Sequence, residues 1–115
     1  MNDYTTSGKT TLTPNVILTI ARMAALEVEG VKGMAPIHPG LPNLKTRGRE
    51  GVTYLIEDEN VFVDLYLVMD GEVNMRDASR NVQHAVSRAI AEMTGLEVSQ
   101  VNIHIEDVNY EEPEA

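Results

Sequence analysis

VNMRDASRNVQHAVSRAIAEMTG (73–95), followed by LEVSQVNIHIEDV (96–108), reads as one long amphipathic helix, a glycine stop and a strand. Ala78, Val82, Ala85, Val86, Ala89, Ile90 and Met93 recur at three- and four-residue intervals and form an apolar stripe on a helix of 3.6 residues per turn. Arg76, Asp77, Arg80, Gln83, His84, Ser87, Arg88 and Glu92 fall mostly on the opposite side. Asn74 is the expected N-cap, and Asp77 places negative charge in the positive first turn. Gly95 supplies the left-handed residue that ends such a helix. The strand puts Val101, Ile103 and Ile105 on one face and Asn102, His104 and Glu106 on the other, the alternation of a half-buried strand.

Upstream of this unit lie two more strands. Val52, Tyr54 and Ile56 alternate with Thr53, Leu55 and Glu57; an Asp58-Glu59-Asn60 turn follows; Val61, Val63, Leu65, Leu67 and Met69 then alternate with Phe62, Asp64, Tyr66 and Val68. The pair reads as a β-hairpin whose second strand is apolar on much of both faces, as suits an interior strand or one with a covered outer face. Asp64 interrupts that outer face between Phe62 and Tyr66, read as half-exposed aromatics. These three residues form a candidate partner surface. Asp70-Gly71 turns the chain into the long helix.

Nearer the start, Thr13-Pro14 signals a helix start, with Thr as cap and Pro at the first helical position. The helix continues through Val16, Ile17, Ile20, Ala21, Ala24 and Val28, with Leu18 and Met23 broadening its apolar face and Gly30 as its expected stop. Glu27 and Glu29 near its C-terminus oppose the helix dipole and are the second candidate recognition position. Lys9–Leu12 reads as a short strand before it. Residues 33–51 carry three prolines and four glycines and read as a long loop. Within it, Met34, Ile37, Leu41 and Leu44 are expected to pack on the parent domain, and Lys45, Arg47 and Arg49 to sit in solvent.

The resulting β-α-β-β-α-β order predicts an α+β two-layer sandwich of the split-βαβ kind: a three- or four-stranded sheet with two helices on one face. Residues 9–108 are expected to form one domain, with a flexible N-terminus over 1–8, a Pro/Gly-rich loop over 35–50 and an acidic tail over 109–115.

Composition narrows the function. The chain has 115 residues, no cysteine and a formal net charge of −9. Without cysteine there is no disulfide, thiol catalysis or zinc-thiolate site. Nine Lys and Arg in all, against 18 Asp and Glu, disfavour nucleic acid and direct contact with anionic lipid. No apolar run reaches the ~20 residues that span a bilayer, and Met1–Thr13 lacks the apolar core of a signal peptide, so direct membrane insertion is not expected and the cytoplasm is. His38, His84 and His104 are far apart in sequence, no glycine-rich phosphate loop occurs, and no serine lies in a nucleophile elbow. The expectation is therefore of no enzyme, no cofactor and no metal site.

GKTTLTPNVILTIARMAALEVEGVKGM (8–34), VFVDLYLVMDGEVN (61–74) and NVQHAVSRAIAEMTGLEVSQVNIHIEDV (81–108) resemble the alkaline shock protein family, also called the envelope stress response protein family of Gram-positive and related bacteria. The similarity lies in the P-x-V with its following I-A, the A-x-E-V-x-G-V-x-G-M block, the V-D-L-Y strand and the N-V-Q, T-G-L-E-V and V-N signals in order. The resemblance implies a small cytoplasmic protein without catalytic residues, some members being held near the membrane by an anchor protein or assembling with copies of themselves. The expected function is thus an interaction or scaffold protein that self-associates or docks on a protein partner, membrane-anchored in some cases. The alternative is a regulatory module that binds a soluble metabolic enzyme.

Overall fold

A computed structural model describes residues 14–36, 47–49 and 51–110. Two helices and five strands follow in chain order: α1 (Pro14–Leu26), β1 (Val31–Met34), β2 (Arg47–Arg49), β3 (Val52–Glu57), β4 (Asn60–Asp70), α2 (Met75–Thr94) and β5 (Glu97–Asn109). The short strand expected over Lys9–Leu12, the Thr13 cap, the flexible start over 1–8, the loop residues Ile37, His38, Leu41, Leu44 and Lys45, and the tail beyond Tyr110 lie outside the described residues.

β4 organises the sheet because it is paired along both edges. β5 runs parallel to it from Asn60↔Glu97 to Asp70↔Asn109, connected through α2 as a βαβ unit. The other edge is shared by two strands set end to end. β3 pairs antiparallel with residues 60–65 and β1 with residues 67–69. Tyr66 joins them, donating its N–H to Gly51 O (2.8 Å) and accepting from Ala35 N–H (2.8 Å). Gly51 has φ +82°, and a Cβ there would stand 2.7 Å from Ala35 O and 2.9 Å from Met34 Cβ, so only glycine fits the junction. β2 flanks β3. The sheet is therefore three strands across at the β1 end and four across at the β3 end, and the expected α+β two-layer sandwich is the observed one.

Both helices pack on the same face. Ile17, Ala21 and Ala25 of α1 and Val82, Val86 and Ile90 of α2 form one apolar cluster with Val61, Val63, Leu65, Leu67 and Met69, the alternate residues of β4. Burying each of the larger side chains contributes about 1.5–3 kcal/mol. The caps of α2 are as its sequence requires: Asn74 accepts from Asp77 N–H at 3.0 Å, and Gly95, at φ 76°, donates its N–H to Ala91 O. Gln83 Nε2 donates to Val101 O at 2.9 Å and pins the helix to β5.

Four expectations need correction. α1 ends at Leu26 rather than Gly30, and Glu27 and Glu29 lie in the turn beyond it, while Gly30, at φ +103°, serves the entry into β1. The stretch read as loop, 33–51, holds the last two residues of β1 and the whole of β2, so that Arg47 and Arg49 are strand residues; each strand is only three or four residues long and lies where Gly33 or Gly48 is tolerated. Met23 and Met93, placed on apolar stripes by their spacing, are 54% and 71% exposed, because each borders open space instead of a packed neighbour. Tyr66, read as half-exposed, is buried.

Candidate functional site

The pleat of β4 turns Phe62, Asp64, Tyr66 and Val68 away from the helices, onto a face that neither helix covers. Register sets their neighbours. Thr53, Asp64 and Asn102 form one row across β3, β4 and β5; Leu55, Phe62 and Gln100 form the next; Tyr66 lies beside His104. Asp64 sits at the centre. Its Oδ1 accepts from Asn102 Nδ2 at 3.1 Å and lies 2.9 Å from His104 Nε2. Asn102 Oδ1 in turn accepts from Gln100 Nε2 at 2.9 Å. The His104 ring stacks on Tyr66, with centroids 4.6 Å apart and planes 12° from parallel. The result is a hydrogen-bonded row along β5, with Phe62 and Leu55 half-buried beside it.

The Tyr66 phenol is pushed above its ordinary pKa, first by burial and then by the carboxylates of Asp64 and Glu106. It therefore stays neutral well past physiological pH and acts as an apolar platform with a polar tip. The Asp64–His104 pair is partly solvated, its side chains 32% and 40% exposed, so its contribution is to orientation more than to stability. Among the described residues no three His, Asp or Glu side chains converge as a metal site, and no helix is long and apolar enough to cross a membrane.

Phe62, Asp64 and Tyr66 are thus together, as the strand alternation predicts. Glu27 and Glu29 are not with them. They lie in the helical layer, Glu27 beside Ala24, Ala85 and Arg88, and Glu29 beside Asn74, Asp77 and Asn81. Asn102 and His104 complete the row around Asp64 although 38 and 40 residues separate them from it. Their shared polar face on β5 is visible in the sequence; which β4 residue they meet is not, because a parallel pair has no hairpin to set its register.

The family model that matches residues 2–110 is that of the alkaline shock protein 23 family, described by a cell envelope-related function. The chain belongs to this family. Among its relatives, the uncharacterized protein YqhY of Bacillus subtilis is 30% identical over 107 residues, covering 90% of this chain and 79% of YqhY. YloU of the same organism is 29% identical over 111 residues, covering 92% of each. In fold the alkaline shock protein 23 family member is similar to MamM-CTD. One form, spanning residues 215–293, superposes with a TM-score of 0.52 at 17% identity, covering 83% of this chain and 99% of the other. A substituted form gives 0.51 at 16% identity, covering 87% of this chain and all of the other. At that identity the likeness concerns the fold alone.

Proposed function

We propose that this protein is a non-catalytic docking or scaffold component of the cell envelope-related family, and that the helix-free sheet face is the surface through which it binds a protein partner or a second copy of itself. One observation carries the reading: half-buried Phe62 and Leu55 stand, with buried Tyr66, on the face that neither helix covers, beside the hydrogen-bonded Gln100–Asn102–Asp64–His104 row. An apolar patch edged by oriented donors and acceptors is suited to protein recognition. The reading goes with cytoplasmic residence and, where the partner is itself membrane-anchored, with attachment to the membrane through that partner.

The test uses the tagged full chain, captured from separate soluble and detergent-solubilised membrane fractions of its host, beside a variant carrying Leu55→Ser and Phe62→Ser. Both substituted side chains are half-exposed, so the variant should retain a native circular dichroism spectrum. A protein, or the chain itself, that is retained by the parent and lost by the folded variant supports the docking face. Equal retention by both overturns it.

A further inference from the structure

The helical layer carries a second feature that the sheet face does not explain. α1 and α2 run antiparallel, and clefts follow their seam from end to end. At one end Val16, Thr19, Ile20 and Met93 line an apolar cleft of about 420 Å³. In the middle Ala24, Ala85 and Ala89 leave a shallow trough of about 340 Å³, because alanine ridges are too low to fill it. At the far end the seam is acidic: Glu27, Glu29 and Asp77 are all exposed, and Arg88 is already held by Glu92 at 2.9 Å.

From this polarity we infer that the α1–α2 seam is a groove for an amphipathic helix of a partner protein, apolar at one end and basic at the other. Its apolar residues lie over Ile20 and Met93, its backbone approaches the alanines, and its Lys or Arg side chains reach Glu27 and Glu29. Val16 to Leu26 spans about 15 Å of helix, which sets the segment lying along it at about 10 residues. Antiparallel seams of this kind accept a third helix by ridges-into-grooves packing, with anchors at i, i+3, i+4 and i+7. Charge complementarity decides the occupant. The seam's acidic end repels anionic lipid and nucleic acid and selects a cationic one. This surface is on the opposite layer from Phe62 and Asp64, so the protein can hold two partners at once.

The experiment measures binding of a fluorescein-labelled 14-residue helical peptide, with Leu and Ile on one face of its first half and Lys on the same face of its second, by anisotropy against the full chain. Wild-type protein should bind it, and a peptide with Glu in place of Lys should bind at least tenfold more weakly. Glu27→Lys with Glu29→Lys should weaken binding at least tenfold; so should Met93→Ser with Ile20→Ser, provided that variant keeps its native spectrum. Asp58→Lys with Glu59→Lys makes the same change in net charge at the hairpin tip and should leave affinity within twofold, as should Phe62→Ser. Equal loss in the hairpin-tip variant would reduce the effect to bulk charge and overturn the proposal. No binding at millimolar peptide overturns it too, as does a wild-type dimer in sedimentation that excludes the peptide and dissociates on Glu27→Lys, which would make the occupant a second copy.

Discussion

At the scale of single residues, Tyr66 and Gly51 meet where β1 and β3 share β4, and each makes a measurable demand. The unfolded chain ionises a tyrosine near pH 10, whereas burial and two carboxylates hold the folded Tyr66 phenol neutral to higher pH. The stability due to this shift is fully present below about pH 10 and is lost as pH rises through the folded value, since only the unfolded state then gains by releasing the proton. Urea midpoints recorded between pH 8 and pH 11.5 should fall less steeply for Tyr66→Phe than for the parent chain. Gly51→Ala places a methyl 2.7 Å from Ala35 O at φ +82° and should destabilise by about 2 kcal/mol or more, read as a lower urea midpoint with unchanged slope.

The elements show where local chemistry agrees with the fold and where it is overruled. α2 has a periodic stripe, an Asn cap and a glycine stop that all point the same way, and it forms over the expected residues. The β3–β4 turn does not agree so well. Pairing Glu57 with Asn60 leaves a two-residue loop, which matches strand twist only with positive φ at both positions. Here those positions are Asp58 at φ 51° and Glu59 at φ 69°, side-chain-bearing residues in a conformation that disfavours them. Replacing Asp58-Glu59 by Asn-Gly should stabilise the protein by about 1 kcal/mol, measured as a higher urea midpoint. α1 is the opposite case: Arg22 is its single charged residue, so hydrophobic spacing cannot separate its core side from the side that borders the seam.

Over the whole molecule, β4 is the member on which everything else bears. Its inward side chains meet both helices, and both its edges are paired from end to end. Native-state hydrogen exchange should therefore find the slowest amides between Val61 and Met69, exchanging only on global unfolding. The three-residue β2 and the Asp58-Glu59 turn should exchange fastest among the described strands and turns, by local opening. A uniform pattern across β2, β3 and β4 would contradict this hierarchy.

By itself the sequence determined what is local or periodic: α2 with its caps, the β3–β4 hairpin, and the common face of Phe62, Asp64 and Tyr66. Residues three or four apart along a helix, or two apart along a strand, share a face whatever the rest of the chain does. Only the tertiary structure decided what depends on distant segments. Parallel register brought Asn102 and His104 to Asp64, the end-to-end junction of β1 and β3 buried Tyr66 and required Gly51, and the antiparallel seam set Glu27 and Glu29 apart from the sheet face. Such contacts follow from how whole elements exclude water together, and no short stretch of sequence specifies them.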